Sequence, residues 1–235
     1  MDSLLDFLKE EKPDIVTTQE TFNEHDPSLP RFLRTVDLIK ETCGLGYDFF
    51  DPTFKNLVRG YKSDRGNAII SRFPIEQTSS VLLGGVPGEY AEGDFSTYPI
   101  WPKKLQRAQI KLNGQELNVY NLQGIWGTDG KDTEERLTVS QKIIDEVKDK
   151  PRTILAGDFN VDQKAKSMTD IEKYLTNVFK DELISSFNMR RKTSPGYASA
   201  VVDFVFITPD MKVLSHNASD LDVSDHKPLI CGFEV

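Results

Sequence analysis

The sequence predicts an α/β (α+β) domain, a four-layer sandwich in which two mixed β-sheets face each other and helices cover their outer sides. Two patterns carry this. Strand-like runs come as adjacent pairs, as on either side of Asn113-Gly114, and they also come separated by helical stretches, as on either side of residues 132–148. Hairpins build antiparallel ladders and helical crossovers build parallel ones, so a chain with both makes mixed sheets. The 235 residues fit one large domain or two small ones. No linker, repeat or low-complexity tract divides the chain, so one domain over 1–235 is the reading.

The elements follow in order. Residues 3–11 read as an amphipathic helix with Leu4, Leu5, Phe7 and Leu8 on one face, opened by a Ser3/Asp6 capping box and ended by Pro13. Ile15-Val16-Thr17-Thr18 is a β-branched run leading into Gln19-Glu20. A second helix is predicted from near Pro30 to Gly44. Residues 67–71 and 75–82 read as strands around a turn at Pro74, and 104–112 and 116–122 as a hairpin on Asn-Gly. A long helix over 132–148 carries Leu137, Ile143, Ile144 and Val147 inward and stops at Pro151. Thr153–Ala156, 201–207 and 229–235 complete the strands, and the Gly-, Pro- and aromatic-rich stretch 84–102 reads as a surface connection.

Composition narrows the function classes. The net charge of −8 disfavours tight sequence-independent duplex binding and steering toward anionic membranes. No apolar run approaches the roughly 18 residues of a membrane span. The start, MDSLLDFLKEEK, lacks the basic opening and apolar stretch of a signal peptide, which makes the cytoplasm the expected location. Cys43 and Cys231 show neither zinc spacing nor a disulfide framework. Asn217-Ala218-Ser219 fits a glycosylation sequon but has no secretory context.

The chemistry lies in acidic residues at strand ends. Glu20 follows IVTTQ, Asp158 and Asn160 sit in GDFN after TILA, Asp203 lies in VVDFVFI, and Asp225-His226 precede the last strand. Carboxylates and an amide oxygen are hard ligands suited to Mg²⁺, Mn²⁺ or Ca²⁺. An adjacent Asp-His can join metal binding to proton transfer or charge stabilisation. Each signal alone also reads as a solvated acid, an Asx turn or a plain loop; their joint occurrence is what points to a site. Among the basic residues, Arg65 and Asn67 of an RGN turn, and Arg191 within Arg190-Arg191-Lys192, are candidates to meet a phosphate. Arg136 reads as a surface helix charge, and His25 and His216 carry no assigned role.

In the order PDIVTTQE, GNAIISRFPI, NLQGIW, LAGDFN, VVDFVFI and SDHKPL, these blocks resemble the endonuclease/exonuclease/phosphatase superfamily, which includes DNase I, abasic-site endonucleases, neutral sphingomyelinases and inositol polyphosphate 5-phosphatases. They span Pro13 to Leu229, nearly the whole chain. The resemblance implies a DNase I-like fold and a Mg²⁺- or Mn²⁺-dependent phosphoric ester hydrolase. It makes Glu20 a metal ligand and Asp225 a metal-associated acid. It makes Asp158 the acid that orients or deprotonates the attacking water, Asn160 a phosphate contact, His226 a contact to the scissile phosphate, and Asp203 the acid that orients His226.

Two departures are visible. The family opens with a strand ending in Asn ahead of the first helix. Here the helix follows Met1 almost at once, so the expectation is a domain short of its first strand, with upstream residues or another segment filling the place. Gln123 stands where relatives commonly carry His or Tyr; an amide still donates to a phosphate oxygen but carries no charge. The expected partner is a phosphoester, a phosphodiester or phosphomonoester. A metal-dependent endonuclease or exonuclease acting on nucleic acid is the alternative, and a degenerate, non-catalytic binding module is the alternative of another class.

Overall fold

A computed structural model describes residues 1–235. Its helices are α1 (Asp2–Glu11), α2 (Thr35–Cys43), α3 (Glu134–Val147) and α4 (Lys166–Ile171). Its strands are β1 (Ile15–Phe22), β2 (Tyr47–Val58), β3 (Tyr61–Ser71), β4 (Ile75–Gly84), β5 (Glu89–Ala91), β6 (Lys103–Leu112), β7 (Gln115–Gln123), β8 (Thr153–Asp158), β9 (Thr176–Asn177), β10 (Asp203–Ile207), β11 (Lys212–Ala218) and β12 (Leu229–Glu234). They form a four-stranded sheet in the order β1-β3-β2-β5, a six-stranded sheet β4-β6-β7-β8-β10-β9, and a hairpin β11-β12. Both larger sheets are mixed: β2 pairs β5 in parallel and β7 pairs β8 in parallel, the latter across the α3 crossover.

Apolar patterning dictates the layers. Leu5, Phe7 and Leu8 of α1 and Val36, Leu38 and Ile39 of α2 close over Ala68 and Ile70 of β3. On the other side, Val139, Ile143, Ile144 and Val147 of α3 share one core with Val119, Leu155, Phe204 and Phe206. Between the sheets runs a buried amide network. Asn121 Nδ2 donates to the carbonyls of Thr18 (2.9 Å) and Ala68 (3.0 Å), Gln106 Nε2 donates to the carbonyl of Phe49 (2.5 Å), and Gln19 Nε2 donates to Asn121 Oδ1 (2.7 Å). These bonds tie the two sheets together at a fixed offset, since each leaves a buried carbonyl orphaned if broken.

Several expectations need correction. The Ser3/Asp6 capping box does not form; α1 starts before Ser3, with Met1 at its N-cap and no side-chain cap bond. The second helix begins with a 3₁₀ turn over Arg31–Arg34. The RGN segment is no turn: it lies inside β3, whose pairing with β2 runs from Tyr61 to Ser71. Arg136 is not a surface charge but 4% exposed, and it donates to the carbonyls of Ile125 and Lys131, pinning the loop after β7. The stretch 84–102 is more than a surface connection: it buries Trp101 against Phe54 and Tyr90. No helix is long and apolar enough to cross a membrane.

The hairpin stands apart. β12 pairs only with β11, and β1 only with β3. Yet Val16 of β1 and Ile230 of β12 pack on the same helical cluster, and Ile15 and Cys231 pack on the same large core. The two strands therefore share packing partners, and each has one edge with no ladder partner.

Candidate active site

Register builds the first half of the site. In the six-stranded sheet Gln123 lies beside Asp158, and Asp158 beside Asp203. Three polar side chains thus stand in a row where β7 and β8 end and β10 begins. Their close approach depends on glycines next to them. A Cβ on Gly157, at φ +149°, would sit 2.1 Å from the Leu122 carbonyl oxygen, and one on Gly124 2.0 Å from that of Phe159. Both are backbone collisions that only glycine avoids.

A bulge builds the second half. β1 pairs Thr18 with Ala68 and Thr21 with Gly66, so Gln19 and Glu20 together oppose the single residue Asn67. Glu20 takes a left-handed φ of +55° there. The extra residue re-aims the side chains. Gln19 turns to Asn121 between the sheets, while the carboxylate of Glu20 turns to the guanidinium of Arg65 and the amide of Gln123. Glu20 remains half exposed, and burial, which would raise its pKa, is outweighed by Arg65, Lys103 and Gln123, so it is held below the ordinary value.

The loop before β12 supplies the rest. His226 Nδ1 lies 2.7 Å from Asp203 Oδ2. Burial would lower the His226 pKa, but Asp203 first, then Asp158 and Asp225, push it up to about 10. Asp158 moves the opposite way from a free carboxylate: burial and the neighbouring Asp203 raise it well above its usual range, and His226 only partly offsets them. Carboxylate and imidazole atoms of Asp158, Asp203 and His226 lie within 4.8 Å of one another. Asn160, at φ +55°, donates from its backbone and its amide to the two oxygens of Asp158 (2.8 and 2.9 Å). Asp225 is half exposed and ion-paired with Lys192 at 3.1 Å.

The structure thus brings Glu20, Gln123, Asp158, Asn160, Asp203, Asp225 and His226 to one place, with Asn67 across the bulge. It does not bring Arg191, whose guanidinium is tied to Asp222 at 2.5 Å; its neighbour Lys192 is the member of that basic run that reaches the site. Sequence reasoning also passed over Lys103, 2% exposed, whose charged neighbours are Glu20, Asp158 and Arg65. Ser186 and Asn188 were likewise silent in the sequence. Ser186 Oγ accepts from the backbone N–H groups of Val202 (3.0 Å) and Asp203 (3.2 Å), and Asn188 donates to the Ser224 carbonyl (2.8 Å), so they fix Asp203 and the Asp225-His226 loop. No spacing motif marks such residues, because they act through backbone groups.

The chain belongs to the endonuclease/exonuclease/phosphatase family, whose model matches residues 1–226. Its fold is DNase I-like. An endonuclease/exonuclease/phosphatase protein of Bacteroides vulgatus superposes with a TM-score of 0.74 at 17% identity, over 100% of this chain and 89% of that one. A mannosyl-6-phosphatase of Bacteroides thetaiotaomicron gives 0.68 at 20% identity, over 98% of this chain and 89% of the other. TDP2 of D. rerio, complexed with single strand DNA product, gives 0.69 at 17% identity, over 100% and 91%. No curated protein matches the sequence.

Proposed function

We propose that this chain is a Mg²⁺- or Mn²⁺-dependent phosphoester hydrolase in which water attacks phosphorus, with a phosphodiester or phosphomonoester as substrate. The observation that carries it is the His226–Asp203 pair at 2.7 Å beside the buried Asp158. In a hydrolase, one carboxylate must take a proton from water while a cation faces the phosphoryl oxygens, and here the two stand side by side. The soluble, cytoplasmic location read from the sequence belongs to the same proposal.

The donor set fits a hard divalent cation. Glu20 and Asp225 present half-exposed carboxylates. Glu20 and Asp225 would hold the ion, which would supply positive charge to the phosphoryl oxygens and a more acidic bound water. The chain's own residues do the rest. Asp158, oriented by both donors of Asn160, accepts the proton of the attacking water. In the metal-free protein, burial and the neighbouring Asp203 raise its pKa, which favours proton uptake. Asp203 accepts from Nδ1 of His226, fixes the tautomer and keeps the ring protonated, leaving Nε2 to donate to a phosphoryl oxygen. The Gln123 amide, now on Glu20, is a further donor toward that oxygen. The water oxygen bonds to phosphorus as the ester P–O bond breaks.

One observation favours the nuclease alternative: Tyr98 and Trp126 pack edge to face at 5.8 Å beside Trp101, and Phe95 next to them is 67% exposed. Phe95 is the exposed ring of this cluster, the others being half-buried or buried, and an exposed aromatic ring can stack on a base. The deciding experiment is a screen with Mn²⁺ or Mg²⁺ of p-nitrophenyl phosphate, bis-p-nitrophenyl phosphate, sphingomyelin and single-stranded DNA, with Asp158→Ala as the control. Metal-dependent release from one class, abolished in the variant, supports the hydrolase. Silence on every class, with the protein folded, returns the chain to the non-catalytic binding module.

A further inference from the structure

We propose that Lys103 is the substrate-phosphate cation of this site, a binding residue that holds a non-bridging phosphoryl oxygen between the two sheets. This rests on the phosphoester-hydrolase reading and deepens it. Three cations of an acidic chain converge on the carboxylates: Arg65, Lys192 and Lys103. The first two are committed, Arg65 to Glu20 and Lys192 to Asp225. Lys103 is the most buried of the three, 2% exposed at the first position of β6, and its ammonium makes no hydrogen bond and no ion pair. The stem is buried while the unpaired tip keeps a trace of solvent contact, so an arriving anion can replace that water with a charge-assisted hydrogen bond.

Its setting is fixed rather than floppy. The Lys103 ammonium lies 5.8 Å from the Trp101 ring centroid, and the Arg65 guanidinium 5.2 Å from the same ring. The indole is held by Phe54 at 4.7 Å and Tyr98 at 4.1 Å, and its N–H donates to Thr97 Oγ1 at 3.0 Å. Trp101 is thus a positioning residue that lines up the two cations. The pairing of β6 with β7 ends at Leu105–Leu122, so Lys103, two residues further out, lies just past the Gln123 end of β7. Glu20 and Asp158 are its acidic neighbours, which sets the ammonium at the edge of the carboxylate cluster, where a phosphoryl group bound there would reach it.

The test uses inorganic phosphate and p-nitrophenyl phosphate on the full chain. Phosphate binding is read by thermal shift and ³¹P NMR, hydrolysis by KM and kcat separately. For Lys103→Met, which keeps the length of the stem, the expected result is at least a roughly tenfold weaker phosphate affinity and a matching rise in KM, as for one lost charge-assisted bond. Lys103→Arg should recover most of both. A Lys103→Met protein that melts like wild type and binds phosphate within about twofold of it overturns the proposal. Should Lys103→Met fail to fold, Lys103→Gln against Lys103→Arg decides on the same readouts: equal phosphate affinity in the two overturns it, and retention only in Lys103→Arg supports it. A wild type that binds phosphate through Lys103 yet hydrolyses no ester sinks the hydrolase reading and leaves the binding site standing.

Discussion

The six-stranded sheet is built to a different standard from the four-stranded sheet and the hairpin. In the six-stranded sheet, β7, β8 and β10 each have partners on both sides and every residue of β10 is buried. In the four-stranded sheet and the hairpin, β1 and β12 each have a partner on one side only, and their residues are mostly half-buried. The site straddles the two. Gln123, Asp158 and Asp203 come from the finished sheet, while Glu20 sits in β1 and Asp225-His226 lead into β12. On the proposed mechanism, the base Asp158 and Asp203, which orients His226, stand on a rigid frame. The proposed metal ligands Glu20 and Asp225 stand on or beside strands with open edges, where adjustment is cheap. The comparison therefore separates chemistry from metal capture, and substitutions on the two sides should fail differently.

The largest expected effect is on the rigid side. Asp158→Ala removes the base and should lower kcat by about 10³-fold, with little change in the metal concentration needed for half-activity. Glu20→Gln, on the open side, should instead weaken metal affinity by roughly 10–100-fold and be largely rescued by more Mn²⁺. Steady-state rates across a metal titration separate the two, and identical metal curves for both variants would break the comparison.

The seam between the layers comes next. Asn121→Leu keeps the volume but orphans the carbonyls of Thr18 and Ala68 and the amide of Gln19. At about 1–3 kcal/mol for each buried unsatisfied group, a loss of at least ~3 kcal/mol is expected in a denaturant melt. A loss below ~1 kcal/mol would mean the sheets are not held by this network.

Smaller, and more specific, is a titration. Asp203→Asn should lower the His226 pKa, because the imidazolium loses its main counter-charge. The linkage sign follows from the raised value. The pair's stabilisation is complete below the unfolded value near 6.5 and is lost as pH rises through about 10. Wild type should therefore lose its stability advantage over Asp203→Asn across that window. An unchanged His226 shift by NMR refutes the coupling. Smallest in energy is hydrogen exchange: amides of β7 and β8 should exchange near the global rate, and those on the open edges of β1 and β12 much faster.

Much of this was legible in the sequence, for identifiable reasons. The Asn113-Gly114 hairpin, the α3 crossover and the buried TILA strand follow from turn chemistry and periodicity. The strand-end acids were visible because charged side chains break a strand's apolar pattern where they occur. β2 was missed since Pro52, Asp51 and Lys55 interrupt its alternation, and its bulge at Pro52–Phe54 absorbs them. β11 was missed since it is mostly exposed and polar. Arg136, Ser186 and Lys103 were illegible for a common reason. Their role depends on burial by residues distant in sequence, and a charged or small polar residue reads as surface until the fold closes over it.

The central claim, a metal-assisted hydrolytic centre made of Glu20, Asp158, Asp203, Asp225 and His226, is tested most directly by one cycle. Hydrolysis of the ester found active is followed as purified protein is stripped with EDTA, dialysed, and given back Mn²⁺ or Mg²⁺. The account predicts a fall of at least about 100-fold on stripping and recovery on restoration, since charge neutralisation at the phosphoryl oxygens is the larger part of the stabilisation. A rate that survives complete removal of divalent metal, in a protein whose Asp158→Ala variant is equally active, would contradict it.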